Sequence, residues 1–155
     1  MHKTYFILNS IYSGGTGRVA LRLASSIPKS ECNISVVTLK NIQPKIYEKY
    51  CKKVDVIQLN ANNKITAIIK LSIFLIKHKP QCCLAFNYTI PILLVLLRKL
   101  RLLDASIIMR SMNMMTYKLE NTNINFIKKY KTRLIKLGML NCDHIITQSK
   151  EMKSD

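Results

Sequence analysis

Short, apolar, β-rich runs recur along this chain with longer helical patterns between them. The runs are Thr4 to Leu8, Asn33 to Leu39, Val54 to Leu59, Cys82 to Phe86, Ala105 to Met109 and His144 to Thr147. Most are apolar throughout rather than alternating, the pattern of strands in a parallel sheet covered on both faces. Between them, Arg18 to Ile27 sets Val19, Leu23 and Ile27 at i, i+4 and i+8 until Pro28 stops it. Lys64 to His78, ended by Pro80, and Ile92 to Leu103 are strong helical patterns, and Ile46 to Lys53 is a weaker one. A further helical stretch runs from Ile124 to Leu140. The strict alternation of strand and helix predicts an open α/β sheet with helices on both faces and right-handed crossovers.

A chain of 155 residues is long enough for one domain with a real core and too short for two large ones. The domain is expected over residues 1–148. Beyond it, Ser149-Lys150-Glu151-Met152 reads as the start of a capped helix, but only about one turn remains before Asp155, too little to hold alone. Residues 149–155 are therefore expected to be a tail or the start of a truncated helix, and the chain the front piece of something longer. No export signal is read at the start. The apolar runs Ile65 to Ile76 and Thr89 to Leu97 fall short of the roughly 20 residues that span a bilayer.

Charge changes the picture more than composition does. Twenty-five Lys+Arg against 8 Asp+Glu give a formal net charge of +17, which favours phosphate-bearing partners: nucleic acid, anionic lipid or a nucleotide. The acidic residues are scattered, with no DxD pair and no two-carboxylate arrangement, so neither a metal site nor a two-carboxylate hydrolase is read. Five cysteines without a CxxC pair point to a reduced, cytoplasmic setting rather than to zinc or disulfides. Cys82-Cys83, His78 and His144 are read as structural.

The candidate chemistry begins in SGGTGR, where Gly14, Gly15 and Gly17 separate the first strand from the first helix. A strand that runs through glycines into a helix lets the helix N-terminus meet a phosphate at close range. The same glycines also serve a plain tight turn that needs positive φ and no ligand. The run is neither GxGxxG nor a P-loop.

From these residues onward the chain resembles the opening of the GT-B glycosyltransferases, in particular the large retaining family 4. SGGTGRVALRLASSI followed by SVVTL resembles the family's first turn, helix and second strand. KHKPQCCLAFN resembles the stretch entering the fourth strand, SIIMRSMN the fifth strand with its Arg-x-Asn-like end, and LGMLNCDHIITQSKEM the strand before the interdomain crossover. Two departures stand out: the family's Asp after Pro is Gln81, and its Ala before Asp143 is Cys142. The resemblance implies the Rossmann-like N-terminal half of a GT-B fold, the acceptor side of a sugar transferase whose donor-binding C-terminal domain, with its paired glutamates, is absent. It places Gly14 and Gly15 by the donor pyrophosphate and Arg110, Asn113 and Ser149 on the cleft rim, with Arg18 a further candidate for an anionic group. It implies no bound cofactor and no catalytic residue in this chain. Its partners would be a nucleotide-sugar donor and a glycan or lipid-linked acceptor.

The stretch Ile124 to Leu140 sets Ile127, Tyr130, Leu134 and Leu137 on one helical face and Lys128, Lys129, Arg133 and Lys136 largely on the other, with no acidic residue. Such a helix can lie on the anionic inner leaflet, giving a cytoplasmic protein with a peripheral membrane contact, or can pack in the core with a basic outer face. Two other classes compete. A stand-alone basic module for nucleic acid or phosphorylated ligands has the charge but no RNP-like aromatics, helix-turn-helix or focused patch, so no nucleic-acid partner is read. A complete small Rossmann-like enzyme lacks its cofactor fingerprint.

Overall fold

The computed structural model of the chain describes residues 3–11, 15–42, 47–48, 53–110 and 126–147, with side chains in the last stretch from 132 onward. In chain order these form β1 (Lys3–Leu8), α1 (Gly15–Ser26), β2 (Asn33–Thr38), β3 (Asp55–Gln58), α2 (Lys64–His78), β4 (Cys82–Ala85), α3 (Ile90–Lys99), β5 (Ser106–Arg110), α4 (Phe126–Leu140) and β6 (His144–Ile146). The strands make one six-stranded sheet in the order β3-β2-β1-β4-β5-β6, with every pairing parallel. Ile7 in the middle of β1 lies opposite Val37 on one side and Ala85 on the other.

Strand pleating sends alternate side chains of β1 to opposite faces and so makes two cores. Tyr5 and Ile7 pack with Leu71 and Leu75 of α2 and Leu94 and Val95 of α3. Phe6 and Leu8 pack with Ala20, Leu21 and Ala24 of α1. The apolar runs in the sequence are thus explained, since strands buried on both faces have no polar side to show. Removing a side chain such as Ile7 or Leu75 from water contributes about 1.5–3 kcal/mol.

Helix α2 has the bounds expected of it. Asn63 and Thr66 form a reciprocal cap, Asn63 Oδ1 accepting from the Thr66 N–H at 2.8 Å and Thr66 Oγ1 from the Asn63 N–H at 3.1 Å. Lys79, at φ 43°, closes the other end before Pro80. Helix α3 starts at Ile90, two residues earlier than expected. There Asn87 Oδ1 accepts from the N–H groups of Thr89 and Ile90, both at 2.9 Å, and Pro91 fits the first turn, where no N–H is needed.

Two expected helix faces are corrected. In α1, Val19 and Leu23 are 39% and 37% exposed, and the inward face is Gly17, Ala20, Leu21 and Ala24. The reason is proximity: a Cβ on Gly17 would stand 3.0 Å from Ile11 Cγ2 and 3.3 Å from Ile11 Cα, so small residues let α1 lie close on the sheet. In α4, Ile135 is buried while Leu137 is exposed, and Gly138 abuts α3, where a Cβ would lie 3.1 Å from the Ile92 nitrogen. Of the weaker helical pattern, residues 47–48 are helical and the rest lies outside the described residues, as do Ser149 to Met152.

Candidate functional site at the carboxyl edge of the sheet

The chain passes from β1 outward to β2 and β3, then returns to the other side of β1 to lay down β4, β5 and β6. The direction of winding therefore reverses between β1 and β4, and at such a switch point the loops leaving the two strands diverge and open a crevice. One wall is the exit from β1, Asn9 to Ile11, leading to the first residue of α1, Gly15. The other is Phe86 and Asn87, leading to α3. Phe86 donates its N–H to the Ile7 carbonyl at 3.1 Å, so β4 remains zipped to β1 up to the point of divergence. The β2 exit is tied in as well, Leu39 donating to the Leu8 carbonyl and Lys40 to the Asn9 carbonyl.

Gly15 is exposed at the start of α1, and a Cβ there would meet nothing within 4 Å among the described residues. Neither Gly15 nor Gly17 has positive φ, so the left-handed turn entertained for these glycines does not apply to them. Gly14 lies outside the described residues. Arg18 lies on the first turn of α1, exposed. Arg110 ends β5, half-buried, with its guanidinium carbon 5.8 Å from the centroid of the Phe86 ring, a cation–π contact that turns it toward the crevice side of β4. Asn113 and Ser149 lie outside the described residues, and so do the side chains of Lys128 and Lys129. Arg133 and Lys136 are exposed along the second half of α4, which leads back toward the opposite edge, where β6 begins. The carboxyl edge thus gathers Gly15 and Arg110, whereas Arg133 and Lys136 lie along the later part of α4.

Asn87 was not among the residues singled out from the sequence. Its Oδ1 caps α3, while its buried Nδ2 has no hydrogen-bond partner among the described residues, and Thr38 Oγ1 at the end of β2 is in the same condition. A polar residue directly after a short apolar strand is the only signal that marked Asn87, and that signal is shared by ordinary turns.

The remaining titratable groups have structural explanations. Burial pushes the Cys83 thiol up to about 12 and the Cys142 thiol up to about 11, so neither is a thiolate near neutral pH. Asp143, in the stretch LGMLNCDHIITQSKEM, is held below the usual carboxylate range, first by the Ile107 N–H at 2.7 Å and then by Arg98 at 2.6 Å. Arg98 also donates to the Asn141 carbonyl, so one carboxylate and one guanidinium join α3, β5 and the entry to β6. Gln81, standing where the resembled family has Asp, accepts from the Lys3 N–H at 2.6 Å and fastens β4 to the start of β1. Among the described residues no three His, Cys, Asp or Glu side chains are grouped to hold a metal ion, and no helix is long and apolar enough to cross a membrane.

No family model matches the chain, and no curated protein sequence matches it. In three dimensions it is similar to the lipopolysaccharide outer core galactosyltransferase WaaB in its apo form, with a TM-score of 0.66 at 16% sequence identity. The match covers 98% of this chain and 41% of that one, so the chain spans about two fifths of that protein's length. At this identity the likeness is one of fold: the chain is a Rossmann-like, open parallel α/β domain of the kind found in a GT-B glycosyltransferase.

Proposed function

We propose that this chain is the acceptor-side portion of a GT-B sugar transferase, one that moves a sugar from a nucleotide-sugar donor to a glycan or lipid-linked acceptor at the cytoplasmic face of a membrane. The observation that carries the reading is that nearly the whole chain, 98%, has the fold of part of a galactosyltransferase. In support, the crevice at the switch point offers what an anionic sugar nucleotide needs from one wall. There is open space at the N-terminus of α1 in front of Gly15, a cation in Arg110, and an amide donor in Asn87. Gly14, Arg18, Asn113 and Ser149 belong to the same proposal, as contacts to the donor phosphates or the acceptor. Lys128, Lys129, Arg133 and Lys136 of α4 would draw the domain to an anionic leaflet.

Base and ribose recognition, and the catalytic groups, then fall to a second domain. Titration calorimetry of this chain with a panel of nucleotide sugars is expected to give no dissociation constant better than about millimolar, about 4 kcal/mol of binding. A micromolar constant for any of them would place the donor site here and overturn the division of labour. Joined to such a domain, Gly15→Val should abolish transfer while the melting temperature stays near the parent's, because the new side chain meets no described protein atom. Transfer that persists through this substitution sinks the phosphate role.

A further inference from the structure

We infer that the outward face of α2 is a lipid-docking surface, in which a stripe of isoleucines enters an anionic leaflet between flanking lysines. The inward face of this helix is complete without them: Leu71 and Leu75 are 1% and 0% exposed, and Phe74 packs at a tilt against Tyr5 with ring centroids 5.0 Å apart. Yet Ile65, Ile69 and Ile73, at i, i+4 and i+8, are 70%, 51% and 61% exposed, with Ile68, also 51% exposed, beside them. A helix that needed only to cover the sheet would carry polar residues there. Around the stripe stand Lys64, Lys70 and Lys77, with Lys79 just past the end, and no acidic residue occurs anywhere in the helix. Lys70 is fixed in place, its ammonium donating to the Asn60 carbonyl at 2.8 Å. An apolar strip bordered by one sign of charge matches the boundary between acyl chains and acidic headgroups, where isoleucine is freed from water and lysine meets phosphate.

Other occupants fit less well. Two copies meeting through this face would set lysine against lysine in chains of net charge +17. A second domain across the crevice would sit on the carboxyl edge, whereas α2 runs down the side of the sheet for about 22 Å, from the exit of β3 to the entry of β4. Such a domain reaches one end of the stripe at most. The inference deepens the membrane part of the proposed function and rests on it only in expecting an anionic leaflet; it moves the penetrating element from α4 to α2.

The chain contains no tryptophan, so Ile69→Trp places a single reporter in the stripe. Its emission should shift to the blue on adding vesicles of phosphatidylcholine mixed with phosphatidylglycerol, and should not shift with phosphatidylcholine alone. The triple variant Ile65→Ser, Ile69→Ser, Ile73→Ser should float with the anionic vesicles at least about tenfold less than the parent, with an unchanged thermal melt because all three side chains are exposed. Parallel charge reversal of Lys128, Lys129 and Lys136 to Glu separates the two elements. If that reversal abolishes flotation while the indole reporter stays silent, the contact is α4 and this inference falls while the membrane reading stands. If the reporter shifts and the reversal changes nothing, α2 is the contact and the α4 assignment falls. A parent that binds neither vesicle overturns both. Self-association in sedimentation that the triple variant removes, without vesicle binding, would make a second copy the occupant and overturn the lipid assignment.

Discussion

At the amino edge of the sheet the polar side chains close on one another, whereas at the carboxyl edge two buried polar atoms have no partner among the described residues. Gln81 meets Lys3, Ser35 meets Asp55 at 2.6 Å, Cys32 meets Thr4 at 3.1 Å, and Asp143 meets both Ile107 and Arg98. All of these stand where strands begin. Where strands end, Gln58 is satisfied by the Ile42 N–H, but Thr38 Oγ1 and Asn87 Nδ2 are left over, and a Cβ on Gly15 would meet no described atom within 4 Å. A closed edge holds strands in register. A buried polar atom without a partner costs about 1–3 kcal/mol, so the carboxyl edge is the one that a bound polar group would stabilise.

The largest effect should come from opening the closed edge. Asp143→Ala deprives the fully buried Ile107 N–H of its acceptor and frees Arg98 from the junction of α3 and β6, and we expect a loss of about 3 kcal/mol in denaturant unfolding. The pH dependence has a definite sign. The folded state holds the Asp143 carboxyl below its usual range, so its contribution is present above the unfolded value, near pH 4, and is lost as pH falls through the folded one. Asp143→Asn removes that titration. Melting curves of parent and Asn variant should therefore converge as pH is lowered below about 4, and a gap that stays constant would show that the carboxylate charge is not what closes this edge.

Next in size is a contrast within SGGTGR. Gly17→Ala must push the buried Ile11 by a few tenths of an ångström, and should cost about 1–2 kcal/mol after the helix preference of alanine is counted. Gly15→Ala meets no described atom and should be neutral or slightly stabilising. The same thermal melts compare the two. Equal losses would mean that both glycines serve packing and that the space before Gly15 is not reserved for a ligand.

Much of this was legible in the sequence, and the failures are physical ones. The central strands β1, β2 and β4 are buried on both faces and apolar, and the more exposed edge strands β3 and β6 carry the same β-branched residues, so all of β1 to β6 could be read within a residue or two of their ends. The bounds of α2 followed from its period and Pro80. Helix faces were harder. Leu and Val mark an inward stripe only where helix and sheet stand a side chain apart; Gly17, Ala20 and Ala24 bring α1 closer and leave Val19 and Leu23 outside. The isoleucines of α2 look like core by residue type, and only their exposure shows otherwise. Arg110 could be placed at the end of a strand from the pattern, but its approach to Phe86, and the unmet amide of Asn87, depend on strands distant in sequence.

The smallest predicted effects lie within a single strand and test the comparison most directly. Ser35 and Thr38 are both buried on β2, three residues apart, one near each edge. Ser35 donates to Asp55, so Ser35→Ala removes a charge-assisted hydrogen bond and leaves a carboxylate oxygen unmet; about 1 kcal/mol should be lost. Thr38→Val changes a hydroxyl without a described partner into a methyl of the same shape, so the chain should gain about 0.5–1 kcal/mol. Opposite signs in chemical unfolding are what two differently built edges require. If Thr38→Val instead costs stability, its hydroxyl is satisfied in solution and the carboxyl edge loses one of its two unmet groups. A gain in stability accompanied by weaker binding of nucleotide sugar to the two-domain protein would show that the hydroxyl, costly to the fold, serves the ligand.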